Sequence, residues 1–205
     1  MKKQWIPHPT ILQGQLVDLI PLEKEHFAEL FLASSDKELW EFVPTNCSVK
    51  ETFDAAYSTA LAEREKGNEY PFIIIHKKTN RIIGSTRLFE IFAEHKKLEI
   101  GWTWITREYW GTSVNLECKL LLLGFCFEKS GAVRVQLKTK DTNLRSRKAI
   151  EKIGAKFEGI WRKDKIQDDG TSRNAAYYSI LDDEWADAKN KILFEITEKE
   201  KATHT

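Results

Sequence analysis

From Leu98 to Ile105 the residues LEIGWTWI alternate roughly between apolar and polar, which predicts a half-buried strand. That phase places Leu98, Ile100, Trp102 and Trp104 on one face and Glu99, Gly101 and Thr103 on the other. A loop, Thr106 to Ser113, follows. From about Asn115 the period becomes helical, and Leu116, Leu120 to Leu123, Phe125 and Phe127 cover most of the circumference, as in a helix buried on several sides. The remaining pattern predicts a strand over Gln15 to Leu22 and helices over Glu23 to Ala33 and Ser48 to Lys66, the second opened by a Ser48/Glu51 capping box. Strands over Tyr70 to His76 and Arg81 to Phe89 form a hairpin across Lys77 to Asn80. A strand over Ala132 to Thr139 and a helix over Asn143 to Ile153 come next. Lys156 to Lys165 pairs with Asn174 to Leu181 across a turn containing Asp169-Gly170, and a helix over Asp183 to Ile196 closes the chain. Residues 1 to 13 read as an irregular lead-in and the tail EKEKATHT as frayed.

This order predicts a mixed α/β fold, one central sheet with helices on both faces. The junction of strand 98–105 with the buried helix has a chemical use. A helix start leaves N–H groups unpaired and carries partial positive charge, which together suit a phosphate. An ordinary βα unit with no ligand fits the same pattern.

The chain of 205 residues suits one domain. With a net charge of +1 it has no global field to draw nucleic acid or an anionic membrane. Cys47, Cys118 and Cys126 give neither a disulfide framework nor metal spacing, and the five histidines form no triad or metal pattern, so no metal is expected. No apolar run is long enough to span a bilayer, and a cytoplasmic setting is expected.

Four stretches carry a resemblance: LVDLIPLEKEH, LEIGWTWITREYWGTSVNLECKLLLLGFCFE, VRVQLKTKDTNLRSRKAIEKIGAKFEGI and DGTSRNAAYYSILDDEW. In that order they resemble the GCN5-related N-acetyltransferase superfamily, in particular its branch similar to ribosomal-protein-alanine acetyltransferases. The resemblance covers about residues 12 to 187 and implies a single domain over 1 to 205, with a mostly antiparallel sheet splayed in the middle. It implies an enzyme that moves an acetyl group from acetyl-CoA to a primary amine, either a protein N-terminal amine or a small molecule. A monomer or homodimer is expected, with no nucleic-acid or membrane partner.

The resemblance also assigns residues. Gly111, Thr112, Ser113, Val114 and Asn115 would meet the pyrophosphate; Trp104, Ile105 and Thr106 would meet the pantetheine arm through backbone groups in the gap between strands 99–105 and 132–138. Family members usually carry glycine or alanine where this chain has Ser113 and Asn115, small polar residues that could donate to phosphate or cap the helix. Loss of both glycines also suits a binding module that keeps the fold without the cofactor.

Glu99 is the candidate base, with Gly101 leaving room in front of it; a solvated strand glutamate is the plain alternative. The tyrosine that relatives use as acid is Ile150 here. Ser146 is the substitute acid, with Tyr177 and Tyr178 next in line, and Asn143 would bind pantetheine or orient the thioester. A helix cap at Asn143 and a bystander Ser146 explain the same residues. Trp40, Trp102 and Trp161 are candidates for an acceptor pocket, though aromatics at strand spacing also serve as core.

Overall fold

The computed structural model describes residues 4–43, 45–167 and 170–203. The element order follows the hydrophobic pattern. Strands β1 (Leu12–Gln13) and β2 (Val17–Pro21) precede helices α1 (Phe27–Ala33) and α2 (Lys50–Lys66). Strands β3 (Tyr70–His76), β4 (Arg81–Phe92) and β5 (Lys97–Ile105) form a meander. Helix α3 (Val114–Gly124), continued by a π turn over Phe125–Lys129, crosses to β6 (Arg134–Lys140). Helix α4 (Leu144–Lys152), strands β7 (Lys156–Ile166) and β8 (Ser172–Leu181), and helix α5 (Trp185–Thr203) complete the chain.

The eight strands form one sheet in the order β1-β2-β3-β4-β5-β6-β8-β7. Every neighbouring pair is antiparallel except β5 and β6, whose parallel pairing needs the α3 crossover. Helices lie on both faces. Leu19, Phe72, Ile74, Leu98, Ile100 and Val135 pack with Leu122 of α3 and Ile192 of α5. Leu22, Ile73, Ile82 and Trp104 pack on the other face with Leu30 of α1 and with Phe53 and Tyr57 of α2. Ile73 and Ile74 enter opposite cores, as strand alternation requires, so the run FIII of β3 is buried on both sides.

The structure corrects four expectations. The face assignment of β5 fails after Ile100. Between Arg87 and Ser85 of β4, β5 runs from Gly101 to Trp104, one residue more, and Trp102 takes φ +50°. This bulge reverses the phase: Ile105 joins the core of Leu98 and Ile100, while Trp104 joins the opposite core. The Ser48/Glu51 box is absent. The cap of α2 is Val49 without a side-chain bond, and Ser48 instead donates its hydroxyl to Asn46 Oδ1 (2.7 Å). The lead-in contains strand β1. The tail is helical through Thr203, because Ile196 packs on the core and Lys199 donates to the Gly111 carbonyl. The β7–β8 turn expected at Asp169-Gly170 falls partly on Asp168 and Asp169, which lie outside the described residues.

Candidate active site

The β5–β6 pairing covers three residue pairs, Lys97–Arg134, Leu98–Val135 and Glu99–Gln136, and then ends. Beyond Glu99 the two strands share no ladder, and a cleft of about 380 Å³ opens there. Its walls include Gly101 to Ile105 of β5, Leu137 to Lys140 of β6, Asn143 and Ser146 at the start of α4, and Gly111 and Asn115 at the start of α3. The bulge in β5 turns Trp102 and Trp104 to the α1–α2 side while Thr103 meets α3, so one strand lines the cleft with side chains of both faces.

Glu99 sits where the ladder ends. It is 1% exposed, accepts a hydrogen bond from Gln136 Nε2 (2.6 Å), and lies 3.2 Å from Lys138 Nζ. Burial pushes its carboxyl up to about 7, against the pull of Lys138 and Gln136. Burial works against the Lys138 ammonium as well, but Glu99 and Glu90 outweigh it and hold that group above its ordinary value. Glu99 is therefore no solvated strand residue. A Cβ at Gly101 would lie 2.6 Å from the Phe89 ring and 3.6 Å from Glu99 Oε1, so the glycine serves packing against Phe89 and also borders the carboxyl, and all three residues line the cleft.

The loop before α3 makes its left-handed turn at Gly111, with φ +77° and open space around it. Ser113 has helical φ −74° and no side-chain cap, so its position needs no glycine for conformation, and the expected cap is absent. Val114 N–H donates to Thr112 Oγ1 (3.3 Å), and the first main-chain bond of the helix is Glu117 N to Ser113 O (2.9 Å). That leaves two N–H groups outside the helical ladder, that of Asn115, which lines the cleft, and that of Leu116 beside it. The Arg145 guanidinium lies 3.8 Å from the Trp110 ring centroid and the Trp110 indole donates to Ile105 O (2.8 Å), so this stack spans the two helix starts.

Two of the expected pantetheine contacts are already partly used. Thr106 N–H bonds Ile83 O (2.8 Å), and Ile105 O takes the Trp110 indole. Trp104 donates its indole to Tyr57 OH (2.8 Å) and is core, with its cleft-side surface confined to the wall.

Asn143 caps α4, its Oδ1 accepting Ser146 N–H (3.0 Å). Both residues also line the cleft. Ile150, at the position of the relatives' tyrosine, lines it as well and closes it with hydrocarbon. The reserve acids are engaged: Tyr177 OH donates to Asp164 Oδ1 (2.6 Å) and Tyr178 OH to Glu151 Oε1 (2.8 Å). Trp40 and Trp102 line the cleft, but Trp161 stacks on Tyr177 and stays 60% exposed outside it.

The pattern of residues did not point to Lys119, Lys165 or Arg173. Lys119, on α3, is 7% exposed, donates to Thr103 Oγ1 (2.8 Å) and is pushed down to about 8 by burial. A lone lysine in the apolar run CKLLLL was the available signal. Lys165 and Arg173, from the β7–β8 hairpin, line the cleft together with Phe42 and Val43. On strands of mixed charge they carried no signal.

Comparison with known proteins bears on this geometry. The family model described as Acetyltransferase (GNAT) domain matches residues 17–156. The chain belongs to the GNAT acetyltransferases. These enzymes use acetyl-CoA and act on amine acceptors. The Bacillus subtilis protein known as Uncharacterized N-acetyltransferase YnaD is 26% identical over 153 residues, 74% of this chain and 85% of the relative. Among solved structures, a GCN5-related N-acetyltransferase from Brucella melitensis is 26% identical with a TM-score of 0.82, covering 91% of this chain and 85% of that one. Mycobacterium smegmatis RimJ, solved in complex with CoA-disulfide, shares the fold with a TM-score of 0.77 at 19% identity, over 92% of this chain and 95% of its own. Among the described residues no helix is long and apolar enough to cross a membrane.

Proposed function

We propose that the chain, acting as one domain, transfers the acetyl group of acetyl-CoA to a primary amine by direct attack in the β5–β6 cleft. The observation that carries this reading is Glu99, a buried carboxyl held near neutrality at the point where the sheet opens. The residues present fit the cosubstrate. Asn115 and Leu116 N–H suit the pyrophosphate at the α3 start, with Gly111 to Val114 shaping the approach. Main-chain groups of Trp104 to Thr106 and the Asn143 amide suit the pantetheine arm.

The neutral amine nitrogen attacks the thioester carbonyl carbon, and its surplus proton passes to Glu99, directly or through one water. The C–S bond then breaks, and the thiolate takes a proton that comes from solvent, either directly or relayed through the Ser146 hydroxyl, which gives up one proton and takes another. A thiolate, with a pKa of about 8.5 for the free thiol, leaves without full protonation. Ser146→Ala should therefore lower turnover by only about ten-fold, or ~1.4 kcal/mol of barrier, with acetyl-CoA affinity near normal. Steady-state kinetics check this; full activity in the variant removes Ser146 from the acid's role.

Asn143→Ala should weaken acetyl-CoA binding and also destabilise the fold by about 1 kcal/mol through the lost cap. Chemical denaturation beside calorimetry separates the two effects. Unchanged stability contradicts the capping account, and unchanged affinity contradicts the pantetheine contact.

The function itself is tested with isotopically labelled acetyl-CoA and a panel of peptide and small-molecule amines, read by mass spectrometry. Labelled acetyl should appear on an acceptor nitrogen. No acetylated acceptor together with no acetyl-CoA binding in calorimetry favours the non-catalytic module without the cofactor that Ile150 and the altered loop also suit.

A further inference from the structure

The cleft has a second arm that the cosubstrate contacts above do not use. Its walls are Phe42 and Val43 before α2, Phe89 of β4, and Lys165 and Arg173 of the hairpin, and Glu99 lines the same cleft. Arg173 is 8% exposed and lines the arm. Its Nη1 donates to Phe42 O (3.1 Å), while Nε is buried without any hydrogen-bond partner. Leaving a charged donor buried and unbonded is costly unless a partner arrives. Lys165 is half-buried beside it, and among the described residues no carboxylate forms an ion pair with either group. Asp164 is near, but its Oδ1 takes the Tyr177 hydroxyl and its Oδ2 is itself unbonded. The third cation, Lys138, is paired with Glu90 and Glu99. Burial lowers both Lys165 and Arg173 from their ordinary values, with repulsion from Lys138 and Arg173 added at Lys165, and the nearby carboxylates of Asp164 and Asp141 at Arg173, and of Asp164 and Glu99 at Lys165, do not offset it.

We propose that the acceptor amine belongs to a molecule bearing a carboxylate, which Lys165 and the free Nε edge of Arg173 hold in this arm. The inference rests on the acetyl-transfer reading above and adds the acceptor's chemical class. A guanidinium whose Nη1 is fixed by a main-chain carbonyl presents its remaining edge in a set orientation, suited to a carboxylate fork. Phe42, Val43 and Phe89 exclude water around the pair and strengthen it. The carboxylate also places the amine: with the anion fixed in this arm, a nitrogen a few bonds away reaches toward Glu99.

Two sources share this chemistry, an acidic residue at the start of a peptide and the α-carboxylate of a free amino acid. The test uses two matched pairs of acceptors with acetyl-CoA: Asp-Ala-Ala-amide against Asn-Ala-Ala-amide, and alanine against alaninamide. One pair should show kcat/KM at least about ten-fold higher for the carboxylate, the worth of a charge-assisted hydrogen bond. Which pair does so names the source. Lys165→Met should cut kcat/KM for the carboxylate member by about ten-fold more than for its amide, whereas a purely structural role would lower both alike. Arg173→Gln should do the same, but it also frees Phe42, so Lys165→Met carries the decision if that variant fails to fold. Equal rates within both pairs overturn the proposal while leaving acetyl transfer intact. If no acceptor is turned over, the transfer reading fails, and calorimetry with the N-acetylated members of each pair still decides: preferential binding of the carboxylate supports the arm, and equal binding refutes it.

Discussion

Replacing Glu99 by glutamine is expected to lower turnover by about 10²–10⁴-fold, the usual contribution of a positioned general base, while leaving acetyl-CoA affinity nearly unchanged. Glutamine keeps the shape of the side chain and its contact with Gln136, so the loss reports the carboxylate alone. The pH dependence adds a second signature. Only the carboxylate form accepts a proton, so the wild-type rate should rise with pH and level off above about 7, where burial has placed the group. In the variant that limb should vanish. A mutant with wild-type turnover across pH takes Glu99 out of the mechanism.

The same shift has a consequence for folding. The unfolded carboxyl titrates near its ordinary 4.5, and the folded one near 7. Between those values the folded protein holds a proton that the unfolded chain has released. Stability should therefore fall as pH rises through that window, by up to about 3 kcal/mol, and then stay level with respect to this group. Lys138, held above its ordinary value, contributes no slope there. Denaturant unfolding at several pH values reads the trend, and Glu99→Gln should flatten it.

Asn115→Asp is the second large effect. Asn115 is in the first turn of α3 and lines the cleft. A carboxylate there complements the helix dipole and should leave the unliganded protein as stable or slightly more so, by about 0.3–1 kcal/mol. It also sets a negative charge against the pyrophosphate and takes up the N–H groups meant for it. Acetyl-CoA should bind at least about ten-fold more weakly, or ~1.4 kcal/mol. The opposite signs of the two changes distinguish loss of a phosphate site from general damage to the loop. Unchanged affinity in calorimetry contradicts the placement of the pyrophosphate at this helix start.

Much of the fold was legible because strand alternation and helical period are local. The YPFIIIH and RIIGSTRLF runs, the buried helix with Cys118 and Cys126, and the α4 start at Asn143 all follow from spacing. The bulge at Trp102 was not legible, since it arises from how β5 registers against Ser85 and Arg87 of β4. The helical tail depends on α5 packing across α3, which no window of the sequence contains. In the site, Glu99 stood out through its place between apolar strand positions. Lys138, Lys165 and Arg173 did not, because a cation on a strand looks solvated until the hairpin folds over it. The unusual loop was partly misleading: the glycine that the conformation requires is Gly111, two residues before Ser113.

The splayed cleft is proposed to hold acetyl-CoA with its phosphates at the α3 start. Amide hydrogen exchange with and without acetyl-CoA tests it most directly. The account predicts new protection over Gly111–Leu116, over Trp102–Ile105 of β5 and at Asn143–Ser146, with none along the outer strand β7 from Lys156 to Trp161. Protection confined to segments outside the cleft, or none at saturating acetyl-CoA, would contradict it.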